Sequence, residues 1–392
     1  MNQQQSRPKY VLFLIVISFF MVTSLWFVTN IIITNLSLAF KSSSEDIASN
    51  LVSIVQFGFM LGTFVFALTN ITDKLSPKSF FFINACIGAI SNLLILYVDN
   101  FPQLMILRFI TGICMGGVYP AAIKMTATWF SGAVLGKAMG FTIGALALGT
   151  AFPHILSHLG TQLVPSQVIY IVVTLAFTGG CIIYFFVPNG PFLKNTSHFS
   201  FNNIIIVFKI NNYRRALFGF LGHMWELFAF WQFLPVFISY YNKMNHVALP
   251  VSLISYFTIA FGFLGCILGG YFSVKFGSLR VAKLNLILSG LCCLFSPFLI
   301  KFPPLLFLAV LLVWGVSVLG DSPQFSTLVS QVVPLHLVGT AITIMTCIGY
   351  TCSILSLQLL SYVSNHISSD YLFSLLLLGP LFGYWVLPKK IN

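Results

Sequence analysis

Three ionisable residues lie where charges are rare in this sequence. Arg108, Glu226 and Asp321 each fall inside a hydrophobic segment long enough to cross a bilayer, in a chain of 392 residues with only 19 Lys and Arg and 7 Asp and Glu. A charge at membrane depth costs a few kcal/mol or more unless it is paired or faces water. Such residues typically mark the path of a solute or an ion, so these three predict a path through a helical bundle.

Glu226 has a second titratable residue close by on the same segment. His223 precedes it by three positions, so on a helix the two side chains project from nearly the same face. An imidazole beside a carboxylate can relay protons near neutral pH, although a single His also serves packing or hydrogen bonding. Arg108 and Glu226 could also approach each other across a cavity. That pair would be either a proton-coupling or substrate site, or a structural salt bridge.

Asp321 and the tryptophans complete the set of candidates. Gly320 and Pro323 flank Asp321, and a helix interrupted by Gly and Pro frees backbone groups that a carboxylate or ion can satisfy. This favours an inner gate or a coupling-ion site over a cap. Trp225, Trp231 and Trp26 could shape a substrate pocket. Because 16% of the residues are aromatic, lipid contact or packing is favoured for any one of them.

The composition predicts an all-α membrane protein with twelve transmembrane helices. Hydrophobic residues make up 58% of the chain and charged residues 7%, whereas a soluble domain carries about 25% charged residues. At about 20 residues per span, the predicted spans 1 to 12 are 11–36, 49–71, 79–98, 103–125, 134–157, 166–187, 215–240, 249–273, 281–300, 304–327, 337–362 and 370–387. The weakest break falls between spans 10 and 11, at 332–337.

The distribution of Lys and Arg predicts the orientation. With the N-terminus in the cytoplasm, fifteen of the nineteen fall in cytoplasmic segments and only Lys41, Lys243 and Lys301 in outer loops. Both termini are therefore expected in the cytoplasm, with an uncleaved first span. Topology accounts for the net charge of +12 without nucleic acid. No Cys spacing suits a zinc or redox site, and no complete nucleotide motif occurs, so no metal or cofactor is expected.

The two halves of the sequence resemble each other. At a constant offset of 203, Gly112, Gly117, Pro120 and Gly136 match Gly315, Gly320, Pro323 and Gly339. The longest hydrophilic interruption separates the spans six and six. It gives an N-terminal half at 1–188, a central cytoplasmic loop at 189–213 with a short surface helix over 199–210, and a C-terminal half at 214–392. Six-span halves related in this way place a solute site between them. Tyr119, near the repeat counterpart of Asp321, would belong to the matching part of the first half.

The chain resembles the major facilitator superfamily along essentially its whole length. Arg108-Phe109-Ile110-Thr111-Gly112 looks like the superfamily's fourth-span Arg-x-x-x-Gly signature, and two short loops look like its cytoplasmic loop motif in degenerate form. The matching residues are Asp73, Lys74 and Lys78 in the first loop, and Gly270, Lys275, Gly277 and Arg280 in the second. The resemblance implies a major facilitator fold whose spans 1, 4, 7 and 10 line a central cavity, with these loops acting as conformational latches.

A narrower likeness is to a bacterial cyanate-permease-like or nitrate/nitrite-porter-like subgroup. The stretches that carry it include 117–120, 222–227 and 320–326. The subgroup's name specifies no substrate, and the paired arginines of nitrate porters are not evident. Span 5 lacks the Gly-Pro-x-x-Gly-Gly pattern of drug/proton antiporters, which favours symport.

Together these observations predict a monomeric secondary transporter in the bacterial inner membrane. It would move a small polar or anionic organic solute with protons by alternating access. The alternatives are a proton-coupled exporter and a non-transporting membrane receptor on a transporter fold. A membrane-embedded enzyme would need a concentrated set of catalytic residues, and the sequence shows none.

Overall fold

The computed structural model describes residues 7–31, 44–69, 71, 75–130, 132–159, 164–191, 201–366 and 368–388, and this part of the chain is helical with no strand. The twelve predicted spans correspond to Arg7–Thr23, Ser44–Leu68, Pro77–Leu93, Phe101–Trp129, Gly132–Leu159, Pro165–Phe186, Asn211–Asn245, Val251–Ala260 with Gly262–Phe276, Ser278–Leu299, Pro304–Gly320 with Ser322–Val332, Val338–Ser364, and Leu372–Leu377 with Leu378–Val386. A helix at Phe201–Lys209 occupies the place of the predicted surface helix.

Length and hydropathy bear out most of these spans individually. Among the described residues, nine helical stretches are long and apolar enough to cross a membrane. Two shorter apolar helices, Lys9–Thr23 and Leu372–Val386, stand at spans 1 and 12. Span 7 is the 35-residue helix Asn211–Asn245, which carries polar side chains along its length. The predicted break between spans 10 and 11 is confirmed, since the helix ends at Val332.

Span 1 is interrupted after Thr23, inside the range that the sequence predicts as one span. Its helix ends at Thr23, and a 3-10 turn follows at Val28–Ile31. The hydroxyls of Thr23 and Ser24 bond back to carbonyls of the preceding turn, an alternative to continuing the helix. The carbonyls of Leu25 and Trp26 instead accept hydrogen bonds from Arg108. A side chain of span 4 therefore uses the groups that a longer span 1 would have paired.

The helix crossings repeat between the halves. A Cβ added to Gly62 would lie 2.7 Å from the carbonyl oxygen of Ile113, and one added to Gly265 would meet the carbonyl oxygen of Val316. Both members of the second crossing follow those of the first by 203 positions. Spans 2 and 4 therefore cross as closely as spans 8 and 10, and glycine is needed in each crossing because any side chain would strike backbone. This geometry supports the predicted duplication.

Two seams join the halves, and they differ in chemistry. Span 2 packs against span 11, and span 5 against span 8. The first seam is polar toward the Asp46 end, where Ser361 donates to Asp46 at 2.9 Å, Gln358 to Ser53 at 2.8 Å, and Ser353 to Gln56 at 2.9 Å.

The second seam is built on small residues. A Cβ on Gly140 would lie 2.8 Å from the carbonyl oxygen of Cys266, and one on Gly270 would lie 3.0 Å from that of Gly136. At the end of this seam, the ammonium of Lys137 lies 4.4 Å from the centroid of the Tyr271 ring.

Candidate functional site

Arg108 is a fully buried cation held by neutral oxygen atoms. Its guanidinium donates to the carbonyl oxygen of Leu25 at 3.0 Å, to Oδ1 of Asn92 at 3.0 Å, and to the carbonyl oxygen of Trp26. Asn92 in turn donates to the hydroxyl of Thr111 at 3.0 Å. Arg108 therefore ties spans 1, 3 and 4 together within the N-terminal half. A charge buried this deeply needs such bonds, because an unmet one would cost several kcal/mol.

Glu226 occupies a similar place in the C-terminal half. Its Oε1 accepts from the indole nitrogen of Trp314 at 2.6 Å and from the thiol of Cys293 at 3.4 Å. These partners lie on spans 10 and 9, so the carboxyl group is enclosed by spans 7, 9 and 10. The structure does not bring Arg108 and Glu226 together. Each bonds to partners of its own half, and the predicted approach across the cavity stays a prediction.

The two buried charges are related by the internal repeat. Trp314 on span 10 follows Thr111 on span 4 by the repeat offset of 203. Between spans 3 and 9 the offset is 201. It relates Cys293 to Asn92 and Asn285 to Asn84. Asn84 packs against Gly117 and Asn285 against Gly320, which confirms this register. Arg108 in the first half and Glu226 in the second thus have surroundings built from positions that the repeat relates.

His223 pairs with Asp321 rather than with Glu226. Its Nδ1 lies 2.8 Å from Oδ1 of Asp321, and both side chains are buried, with exposures of 1% and 2%. The other ring nitrogen, Nε2, has no hydrogen-bond partner in the part of the chain that the structure describes. The imidazole packs between Phe220 and Phe325, at 5.6 and 5.9 Å between ring centroids. Two predicted candidates therefore form one contact between spans 7 and 10.

Asp321 sits at an interruption of span 10, as the sequence predicts. One helix ends at Gly320 and the next begins at Ser322. The carbonyl oxygen of Asp321 accepts from the amides of Gln324 and Phe325 at 2.9 and 3.2 Å. Just before the break, the carbonyl oxygen of Leu319 accepts from Cys266 of span 8 at 3.5 Å. The break thus lies one helix behind the seam of spans 5 and 8.

An aromatic group spans the boundary between the halves. We call it the interhalf aromatic cluster: Trp26, Phe59 and Tyr119 from the first half, and Phe228, Trp231 and Tyr350 from the second. Trp26 stacks on Phe228 at 5.5 Å and Phe59 stacks on Tyr350 at 4.2 Å. Trp26 and Trp231 are 1% exposed, so lipid contact is excluded for them and packing remains. Sequence reasoning missed Phe59, Phe228 and Tyr350, which nothing in a Phe-rich chain distinguishes.

The two remaining cavity candidates lie in different places. Tyr119 belongs to the cluster, with its ring 5.9 Å from Phe59 and 6.0 Å from Phe19. Trp225 is half-buried and turned toward span 12, where its indole nitrogen donates to the carbonyl oxygen of Leu375 at 3.4 Å. Trp225 therefore has its polar atom engaged within the C-terminal half, away from the seams.

The predicted latch residues are only partly visible. Asp73 and Lys74 lie outside the described residues, whereas Lys78 lies 5.6 Å from the Tyr184 ring of its own half. Gly277, with φ of 83°, separates spans 8 and 9, and Lys275 and Arg280 beside it are exposed. Of the second loop, Gly270 contacts the other half, against Gly136. The neighbouring contact between Lys137 and Tyr271 could not be predicted from the sequence.

In the described part of the chain, no group of three or more His, Cys, Asp or Glu side chains is arranged to hold a metal ion. Among the described residues, His223 and Asp321 meet at the break in span 10, and Glu226 is held separately by Trp314 and Cys293. What this arrangement can do chemically is exchange a proton at a helix break inside the C-terminal half.

An all-helical membrane protein built as two equivalent bundles with charges buried between the helices belongs to the transporter class of folds. The model of the Major Facilitator Superfamily matches residues 11–357, and the chain belongs to this superfamily. The structure is similar to the crystal structure of the human organic anion transporter MFSD10, with a TM-score of 0.70 and 12% identity, over 97% of this chain and 99% of that one. No curated protein sequence matches the chain.

Proposed function

We propose that this protein is a secondary active transporter that carries a small polar or anionic organic solute together with protons, by alternating access. The observation that carries the coupling is the buried contact between His223 and Asp321 at the break in span 10. Adding or removing one proton changes the charge of this pair. In a site sealed from water, that change alters how strongly span 7 holds the two parts of span 10.

Glu226 is the second coupling candidate. Its carboxyl is as deeply buried, and it accepts hydrogen bonds from Trp314 and Cys293. Among the described residues, His223 keeps one ring nitrogen without a partner, which is what a group passing protons onward requires. We therefore rank the His223–Asp321 pair ahead of Glu226.

The anionic character of the solute is supported by the buried Arg108, whose contacts are all to neutral oxygen atoms. The similar human structure is that of an organic anion transporter. The narrower likeness to cyanate-permease-like proteins is compatible with a small anion and stays a prediction. Location in a bacterial inner membrane, with both termini in the cytoplasm, is part of the same proposal.

The experiment places the purified full chain in liposomes loaded with a pH-sensitive dye. Small organic anions, amino acids and sugars are added one at a time outside, and the dye reports whether protons follow a solute inward. A solute that moves protons is then tested for accumulation on a pH gradient. If protons move only when the solute is loaded inside the liposomes, the exporter alternative is supported. If a solute binds but neither it nor protons cross the membrane, the receptor alternative is supported.

Asp321→Asn tests the coupling residue, with Asp99→Asn at an exposed loop position as the matched control. We expect Asp321→Asn to lose accumulation on a pH gradient while keeping part of its solute exchange, which need not move net protons. His223→Gln should behave similarly, against His366→Gln as its control. If Asp321→Asn still concentrates solute on the gradient, the pair is not the coupling site and Glu226→Gln becomes the variant to measure.

The orientation has its own test. A cysteine in place of Ser43 should react with a membrane-impermeant thiol reagent added outside intact cells, whereas one in place of Ser197 should not. The reverse labelling pattern would contradict both the orientation and the assignment of the charged loops to the cytoplasm.

A further inference from the structure

Three buried nitrogen donors at the boundary between the halves have no hydrogen-bond partner among the described residues. They are Nε1 of Trp26, Nε1 of Trp231 and Nε2 of Gln56, from side chains that are 1% exposed or less. Buried polar groups are almost always paired, so three unpaired donors in one region need an explanation. All three are N–H groups, which can only donate. A ligand that satisfies them must therefore supply acceptors.

The contacts place these donors around the interhalf aromatic cluster. The ring of Phe228 lies 5.5 Å from that of Trp26 and 5.5 Å from that of Trp231, between centroids. Gln56 accepts from Ser353, one helical turn beyond Tyr350, whose ring is 6.0 Å from Trp26. The donors thus come from spans 1, 2 and 7, and both halves contribute.

A buried cation lies next to the cluster. Arg108 donates to the backbone carbonyl of Trp26, the residue that carries one of the donors. The acid on span 7 nearest in sequence, Glu226, is turned toward spans 9 and 10. Asp321 is paired with His223. The donors, the aromatic rings and this cation therefore favour a planar ligand that carries a negative charge.

We infer that the interhalf aromatic cluster is the binding site of a planar aromatic carboxylate. Its ring would take the place of the stack between Trp26 and Phe228, and its carboxylate would accept from the two indole nitrogens and from Gln56. Because partners from both halves are required, the ligand itself would draw the halves together around it. This names the substrate class of the proposed transporter and rests on that function.

Binding to the purified full chain, measured by titration calorimetry, tests the inference with benzoate as the probe. Benzamide removes the charge, and cyclohexanecarboxylate removes the planar ring. We expect benzoate to bind roughly tenfold more tightly than either, because hydrogen bonds to a charged acceptor are the strong ones. No binding of benzoate, or equal binding of benzamide, overturns the inference.

Two variants remove one donor each while keeping an aromatic ring. Trp26→Phe and Trp231→Phe should each weaken benzoate binding by roughly tenfold. The matched control is Trp385→Phe, at a position that is 80% exposed, which should leave binding unchanged. Size-exclusion profiles and thermal unfolding show which variants are folded. If both folded variants bind benzoate as the control does, the site is wrong.

Failure here can be told apart from failure of the proposed function. If another solute moves protons in the liposome experiment while Trp26→Phe leaves its transport unchanged, the transporter stands and this site falls. If benzoate binds with the expected dependence on both tryptophans but no solute is moved, the site stands and the transport function falls.

Discussion

The two halves of this protein bury ionisable side chains of opposite type and hold them by different means. In the first half, Arg108 is surrounded by backbone carbonyls and Asn92, none of which can change charge. In the second, Glu226 bonds to Trp314 and Cys293, and Asp321 pairs with His223. Among the described residues, both buried acids therefore lie in one half, whereas the other half holds the buried arginine.

The largest expected difference between the halves is in stability. Arg108→Met leaves two carbonyls and Asn92 without their donor, and we expect it to destabilise the fold by about 3–5 kcal/mol. Glu226→Gln keeps an oxygen that can accept from Trp314, so its cost should be about 1 kcal/mol. Unfolding in detergent, with exposed Arg280→Ala as the control, measures both. Equal losses would mean that the two charges are held alike.

Substitutions at the glycine crossings should lower stability equally in the two halves, because the backbones approach each other in the same way in both. A Cβ at Gly112 would meet the carbonyl of Val55, and one at Gly315 that of Thr258. Gly112→Ala and Gly315→Ala should each cost about 1–3 kcal/mol. Gly136→Ala and Gly339→Ala are the controls, since nothing lies within 4 Å of an added Cβ. They should be neutral or stabilising by up to about 1 kcal/mol. A clear difference between Gly112→Ala and Gly315→Ala would break the equivalence.

A smaller effect is expected where the halves touch at the end of spans 5 and 8. Tyr271→Leu removes the ring under Lys137, and an exposed cation–π contact contributes about 0.5–1 kcal/mol. The conformer in which these ends meet should lose a few-fold in population, measured by the distance between spin labels on the two helices. Tyr362→Leu, on an exposed tyrosine of span 11, is the control. An unchanged distance distribution would show that this contact does not join the halves.

The smallest expected effect is the coupling energy between Arg108 and Glu226, which should be near zero. Because Arg108 and Glu226 have separate partners, the effects of Arg108→Met and Glu226→Gln on stability should add to within about 0.5 kcal/mol. The matched cycle, Asp321→Asn with His223→Gln, should show a larger interaction, since those side chains touch. Strong coupling between Arg108 and Glu226 would restore the ion pair that the sequence suggests.

The fold could be predicted from the sequence, because the features that indicate it extend over whole segments of the chain. The apolar runs, the repeat around Gly112 and Gly315 and the break at Asp321 all survive in the structure. The pairing of buried charges could not be predicted. His223 is three positions from Glu226 and 98 from Asp321, yet it contacts the distant acid. Side chains three residues apart on a helix share a face only approximately. The choice of partner depends on which neighbouring helix each one meets.

The contrast between the two seams has a calorimetric consequence. When the seam of spans 2 and 11 opens toward the Asp46 end, the hydroxyl and amide groups of Ser361, Gln358 and Ser353 exchange one another for water. Exposure of polar surface lowers the heat capacity, whereas exposure of apolar surface raises it. The decrease in heat capacity from these polar groups should partly cancel the increase from aromatic rings that become exposed deeper in the same seam. The enthalpy difference between the open and closed conformers should then change only weakly with temperature.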